Sequence, residues 1–381
     1  MENKQHILLL SSWYPTRIDE TSGNFIKRFA QFLSGKFKIS VIFVKADSSI
    51  EKVEFHEMRE GDFHEIIAYY PKPKGIFSRT RQLARYKKVL DTALQKLDSK
   101  PDLIHAHVAY PKGKEFEYVS SKLGVDFILQ EHSSDFSEHE DWSKIKRQLV
   151  IQTLRKARLV LPVSHLLEEE ILKVEPHLAR VVLPLPVNTE LFFPEKSISS
   201  QRPYTFLHVS GLDEKYKNVR GIVEAFHRVY QHHPDTRLTI VTDGDPSALF
   251  QFLEENNWRE GIDVKRNLTY EEVAIEYRNS DCFVLFSRFE TFSCVLVEAM
   301  ASGIQIITTE VGVVPSIDEK LLTVVPNGDI HALATSMEEL CMGKRNVESV
   351  ELVTAAQPFS NEYILERLSM IYNEVLLKNN D

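Results

Sequence analysis

Short apolar runs alternating with longer helical patterns are the feature that most limits what this chain can become. "HILLLSS", "KISVIFV", "DLIHAHV", "DFILQEH" and "RLVLPVS" lack polar and apolar alternation, the pattern of strands covered on both faces in a parallel sheet. Between them, "FIKRFAQFLS" and "EYVSSKL" read as amphipathic helices, so the first half is a βαβ series. A proline-marked segment near residues 181–203, "VVLPLPVNTELFFPEKSISSQRP", breaks the rhythm. It resumes with "YTFLHVS", "RLTIVTD", "DCFVLFS" and "IQIITTE". The expected fold class is α/β, with two Rossmann-like doubly wound domains in tandem. The closing stretch "SNEYILERLSMIYNEVLL" predicts one amphipathic helix with Ile364, Leu368, Ile371 and Val375 on its apolar face and a cap at Ser360 or Asn361.

Length agrees with two domains, because 381 residues exceed the size at which a single core usually stops growing. A formal net charge of -9 gives no reason to expect nucleic acid as a partner. The three cysteines, Cys282, Cys294 and Cys341, have no metal-binding spacing, and two of them fall in apolar contexts typical of buried free thiols, which favours a reducing cytoplasm. An opening apolar run of four residues is too short for a signal-peptide core, and no stretch approaches the roughly 18–20 apolar residues of a membrane span. The expected location is cytoplasmic, with at most peripheral contact at the inner face of the membrane.

Ligands of doubly wound sheets bind beyond the carboxyl ends of the strands, where loops feed helix N-termini. "FETFSCVLVEAM", residues 289–300, falls at such a place. Its helix starts near Ser293, whose backbone N–H groups and dipole suit a phosphate. Glu290 then lies in the loop beside that site, and Glu298 two turns further along. Carboxylates flanking an anion site make sense when they accept hydrogen bonds from hydroxyls, which a nucleotide sugar presents on both sides of its diphosphate.

The stretch "SRFETFSCVLVEAMASGIQIITTEVG" resembles the signature of retaining glycosyltransferases of the GT-B fold, glycosyltransferase family 4 (glycosyl transferases group 1). The similarity extends to "SGNFIKRFAQFL", "PDLIHAHVAYP", "EHSSDF", "LVLPVS", "LPVNTELFFP", "KNVRGIVEAF" and the "IYNEVL" helix. It implies an N-terminal acceptor domain over residues 1–185, a donor domain over 202–358, a central cleft, and a C-terminal helix, 360–381, crossing back to the first domain. By the same resemblance Glu290 holds hydroxyls of the transferred sugar and Glu298 holds the ribose. Phe292 and Ser293 offer backbone donors to the diphosphate. Without the flanking motif, a glutamate pair at this spacing would be a solvated helix face plus an acid favoured by the helix dipole.

Lys217 matches the family's lysine for the donor phosphates, where an ammonium would stabilise the departing diphosphate; its plain reading is a surface lysine at a helix start. Three departures follow. The family's arginine before the loop leucine is missing from Ser210-Gly211-Leu212, a gap that Lys215 would fill. Thr242 stands where glycine is frequent, and Leu185-Pro186 where Asn-Gly is common. In the first half, Gly23 suits a positive φ and a close ligand approach, or a plain turn. His132 matches a histidine near the donor sugar's hydroxymethyl group, the alternative being a loop histidine capping "SSD". His107 could line the acceptor pocket, and His105 could equally be a core histidine.

The resemblance implies a nucleotide-sugar donor, a saccharide or lipid-linked acceptor, a place in polysaccharide or glycolipid synthesis, and no cofactor. Metal is not expected, because Asp243 and Asp245 of "DGD" fall where the family has a glycine-rich turn. The family's acceptor attacks on the face the diphosphate leaves, so no dedicated base is required. A basic stretch, "KPKGIFSRTRQLARYKK" at residues 72–88, holds seven basic residues and no acid. Arg81, Arg85 and Lys88 share one helical face, with Leu83, Tyr86 and Leu90 toward another. Such a segment suits an anionic membrane or a diphosphate-linked acceptor; the plain alternative is a solvated face. A nucleotide-sugar 2-epimerase of the same fold and a degenerate, non-catalytic partner of another transferase stay open as alternatives.

Overall fold

The computed structural model describes residues 4–72, 78–195 and 202–377, with the side chains of 78–81 outside the description. Two compact units emerge: Met1–Pro162 with Glu170–Leu183 and Arg367–Asp381, and Val163–Glu169 with Pro184–Glu366. The division thus falls at Leu183. Only the second part of the last helix joins unit 1, where the sequence assigned all of 360–381.

Unit 1 is built on seven strands, β1 (His6–Ser11), β2 (Lys38–Asp47), β3 (Glu54–Glu60), β4 (Phe63–Pro71), β5 (Leu103–His107), β6 (Phe127–Glu131) and β7 (Val160–Pro162). Their order is β3-β4-β2-β1-β5-β6-β7. All neighbours are parallel except β3 and β4. Every residue of β1, β5 and β6 is buried, the polar His105, His107, Gln130 and Glu131 included, as in strands covered on both faces. The β3–β4 hairpin escaped the sequence reading. Its edge strand, "EFHEMRE", is largely polar and solvent-facing, a composition that discourages pairing with other chains. The helices are α1 (Asn24–Leu33), α2 (Ser78–Leu94), α3 (Gly113–Leu123) and α4 (Lys144–Lys156), while α5 (His165–Val174) is divided between the units at Glu170. On α1, Ile26, Phe29, Ala30 and Leu33 form the buried stripe.

Unit 2 carries six parallel strands in the order β10-β9-β8-β11-β12-β13. They are β8 (Tyr204–Val209), β9 (Thr236–Thr242), β10 (Ile262–Arg266), β11 (Cys282–Leu285), β12 (Gln305–Thr308) and β13 (Thr323–Val324). The reversal of strand order beside β8 is the switch point beyond which such sheets bind ligands. Its helices begin with α6 (Glu214–Lys217), α7 (Val219–His232), α8 (Ser247–Asn256) and α9 (Tyr270–Arg278). They continue with α10 (Cys294–Ala301), α11 (Ile330–Cys341), α12 (Ser349–Ala356) and α13 (Asn361–Leu377). Phe206, Phe226, Leu238, Val284, Phe286 and Ile307 are fully buried and anchor one core.

The expected last helix forms, with Ser360 Oγ accepting from the Tyr363 N–H at 3.3 Å. Ile364, Leu368, Ile371 and Val375 are buried. No helix among the described residues is long and apolar enough to cross a membrane.

Candidate active site

In unit 2 the loop after β11 carries Glu290, and the short helix α6 carries Lys217. Lys217 Nζ donates to both carboxylate oxygens of Glu290, at 2.7 and 2.9 Å, and Ser287 Oγ donates to Oε1 at 2.6 Å. The positions are set locally. Asp213 caps α6 by accepting from the Lys215 N–H at 3.0 Å. Asn218 ends α6 in the left-handed region and opens α7. Arg288 ties the two segments together: its backbone N–H donates to Tyr216 O at 2.6 Å, Nη1 to Glu214 O at 2.8 Å, and Nη2 to Asn218 Oδ1 at 3.1 Å.

The loop is closed against the turn that follows β12. The Val313 N–H donates to Phe292 O at 2.9 Å. Gly312 has φ +58°, and a Cβ there would stand 2.5 Å from Phe292 O and 3.1 Å from Glu290 Cβ. Only glycine allows that approach without displacing the Glu290 loop. Phe292 is 1% exposed. Ser293 begins α10 with φ 76°, and its hydroxyl is buried without a partner.

Glu298 lies on the second turn of α10, as expected, but not as an open carboxylate. It is 4% exposed. Tyr270 OH donates to its Oε1 at 2.9 Å, and Tyr277 OH lies 3.3 Å from Oε2 and 2.9 Å from Val295 O. Burial, then the Glu298 charge, pushes the Tyr277 hydroxyl well above its usual pKa, so it stays a donor. Phe192 packs edge-on against both rings.

Lys215 is exposed on α6, with its ammonium 5.0 Å over the Tyr216 ring. The loop at Gly211 is fixed by His208. The ring lies fully buried, Nδ1 donating to Val284 O at 2.9 Å and Nε2 accepting from Ser210 Oγ at 2.8 Å. Asp245 of the "DGD" turn accepts from the Ser247 N–H and hydroxyl. Thr242 Oγ1 accepts from the Gly244 N–H.

Unit 1 contributes a second polar centre at the carboxyl ends of β5 and β6. His107 Nδ1 and His132 Nε2 are 3.0 Å apart with their ring planes within 18° of parallel, and His105 stacks on His107 with ring centroids 4.4 Å apart. His105 Nδ1 meets Tyr372 OH at 2.7 Å, which makes it the core histidine of the alternatives weighed. The expectation that His107 lines an acceptor pocket is corrected: its ring is fully enclosed and backs His132 instead. Glu131, passed over in the sequence, is buried and accepts from the backbone N–H groups of Ala109, His132 and Ser133, each at 2.9 Å. Gly23 has the positive φ expected, but a Cβ there would meet Trp13 and Tyr14 backbone at 2.7–2.8 Å. The close approach it permits is that of the chain itself.

In the basic stretch, residues 73–77 and the Arg81 side chain lie outside the described residues. Arg85 Nη1 donates to Pro71 O at 3.0 Å, and Lys88 is exposed. Leu83, grouped by periodicity with Tyr86 and Leu90, is 70% exposed, whereas Leu90 is buried.

Two Rossmann-like units, the second bearing a lysine and two glutamates at the carboxyl end of its sheet, define a glycosyltransferase of GT-B architecture. The chain belongs to glycosyltransferase family 4: residues 22–191 match the model of Glycosyltransferase Family 4, and residues 203–342 that of Glycosyl transferases group 1. It is 25% identical over 272 residues to TuaC of Bacillus subtilis, which carries the name of a teichuronic acid biosynthesis glycosyltransferase. That match covers 69% of this chain and 66% of TuaC, just under two thirds of its length. It is 23% identical to N-acetyl-alpha-D-glucosaminyl L-malate synthase of Bacillus anthracis, covering 85% and 84%. Among solved structures, Anabaena HepE in complex with UDP and glucose superposes with TM-score 0.71 at 15% identity, covering 97% of this chain and all of that one.

Proposed function

We propose that this protein transfers a sugar from a nucleotide-sugar donor to a saccharide or lipid-linked acceptor, with retention of anomeric configuration. The observation that carries the reading is the pair Lys217–Glu290 beside the start of α10, with Glu298 held on that helix's second turn. Glu290 accepts from hydroxyls of the sugar, Glu298 from the ribose, and the Lys217 ammonium stabilises the leaving diphosphate. The bond from the anomeric carbon to the diphosphate oxygen breaks and the bond to the acceptor oxygen forms. The acceptor's proton passes to the departing diphosphate.

Transfer needs no divalent ion, a reading supported by the use of Asp245 as a cap for Ser247. The acceptor belongs to polysaccharide or glycolipid synthesis at the cytoplasmic face of a membrane, in keeping with the basic stretch. The 2-epimerase alternative finds no support in the relatives described.

A thermal-shift panel of nucleotide sugars, with and without magnesium, tests the donor, since a ligand of the native state raises stability by mass action. A panel in which no nucleotide sugar raises the melting temperature sinks the reading. Transfer that persists in EDTA, with an anomeric configuration matching the donor's by NMR, upholds its finer parts.

A further inference from the structure

Unit 2 holds a recess of about 520 Å³ at the edge of its sheet opposite the candidate active site. Tyr204 and Gln305, the first residues of β8 and β12, line it together with Asp281, which stands just before β11. Cys341 at the end of α11, with Arg345 and Asn346 beyond it, completes the polar lining. Because the strands of this sheet are parallel, the whole of β11 lies between Asp281 and the Glu290 loop. A space of this size falls within the roughly 300–1,000 Å³ typical of small-molecule sites.

Part of the lining is already satisfied. Arg202 binds the Asp281 carboxylate with both terminal nitrogens, at 2.7 and 2.9 Å, and the Thr205 N–H donates to it at 2.7 Å, so its charge is neutralised. The Gln305 amide donates to Asn346 Oδ1 and Val347 O and accepts from the Val347 N–H. At the end of α11 the carbonyls of Glu338, Glu339 and Leu340 accept from the N–H groups of Met342, Lys344 and Gly343. What is left over is donors. Tyr204 OH has no hydrogen-bond partner among the described residues, and burial holds the phenol well above its usual pKa, so it keeps its hydrogen. Arg345 spends Nη2 on the carbonyls of Lys320 and Leu322 and pairs with no carboxylate among the described residues, which leaves Nε and Nη1. Asn346 is held by its carbonyl oxygen, with its amide hydrogens unspent among the same residues.

We propose that this recess is a second ligand site, taking a small organic oxyanion, a phosphate monoester or a carboxylate, whose oxygens accept from Tyr204, Arg345 and Asn346. A neutral polyol would bring hydrogens of its own to a lining whose side-chain acceptors are mostly taken, whereas an oxyanion brings acceptors and a charge for the Arg345 guanidinium. The assignment does not rest on the function proposed above.

The test follows the Ile304 methyl, which also lines the recess, by ¹H–¹³C correlation on the full chain, with Ile304→Val used to assign it. The titrants are glycerol 3-phosphate, citrate and, as the neutral control, glycerol. Glycerol 3-phosphate or citrate should shift the methyl saturably and glycerol should not; the tighter of the two separates phosphate from carboxylate. Arg345→Gln should raise the dissociation constant about tenfold or more, and Tyr204→Phe, which removes one neutral donor, about threefold. The shift should persist in Lys217→Ala, where an anion drawn to the candidate active site would lose its hold. A wild-type methyl that shows no saturable shift at millimolar titrant overturns the proposal. So does an equal response to glycerol, a dissociation constant unchanged in Arg345→Gln, or a shift that disappears in Lys217→Ala.

Discussion

Lys217 and Glu290 neutralise one another in the ligand-free protein, the ammonium lying 2.7 and 2.9 Å from the two carboxylate oxygens. A donor that claims the lysine for its diphosphate and the glutamate for its sugar must replace both halves of this pair. The lysine would then face the charge of the diphosphate and the glutamate the hydroxyl donors of the sugar, so neither would be left without a hydrogen-bond partner.

Glu290→Gln should abolish transfer while leaving the melting temperature within a few degrees of wild type. The residue lies in a loop, and an amide still accepts from Ser287. Turnover equal to wild type, measured with the donor selected by thermal shift, would remove Glu290 from the mechanism.

Lys217→Ala should slow turnover by about 10²-fold or more, roughly 3 kcal/mol, comparable with the loss of one preorganised donor to a developing anion. A change confined to KM would mean that the ammonium holds ground and transition states alike.

Gly312→Ala should destabilise the fold by about 1–3 kcal/mol, because the added Cβ meets Phe292 O at 2.5 Å and φ is +58°. It should also displace Glu290. An unchanged melting temperature together with wild-type turnover would show that the turn relaxes freely.

His208 gives a pH prediction. Burial pushes its pKa from 6.5 down to about 4, so the folded state holds that proton less tightly than the unfolded chain. Its stabilising contribution is complete above pH 6.5 and is lost as pH falls toward 4, by about 1.4 kcal/mol per pH unit. Melting temperatures between pH 7 and 4.5 should fall less steeply in His208→Gln. Equal slopes would mean that the ring is not held neutral.

Reversing Arg81, Arg85 and Lys88 to Glu should release the protein from anionic vesicles while preserving nucleotide-sugar binding. Each cation near such a surface contributes on the order of 1 kcal/mol, fading over about 10 Å at 0.1 M salt. Wild-type protein that stays in the supernatant of a low-salt sedimentation assay would leave this stretch as a solvated face.

The parallel strands were legible because burial on both faces writes itself as unbroken apolar runs, as in "HILLLSS". The β3–β4 hairpin was not, since an edge strand such as "EFHEMRE" has the composition of a loop. At the candidate site, Glu290, Glu298 and Lys217 were singled out through a motif. Their supports were not: Tyr270 and Tyr277 reach Glu298 from 28 and 21 residues away, and a single sequence holds no trace of such a meeting. His107 was misread because strand alternation says which way a side chain points but not whether another ring, here His132, already closes the space.

The three bonds of Arg288 bear on how such proteins can be recombined. Lys217 and Glu290 stand 73 positions apart, which invites the exchange of one surrounding loop at a time between relatives to alter donor range. Yet Arg288 holds Glu214, Tyr216 and Asn218 from the far side. A loop imported at 210–218 alone, including one that restores the missing arginine, keeps its mooring only if its backbone returns the carbonyls at 214 and 216 and a side-chain acceptor at 218 to Arg288. The two segments, 210–218 and 286–293, form one cassette and should be transplanted together.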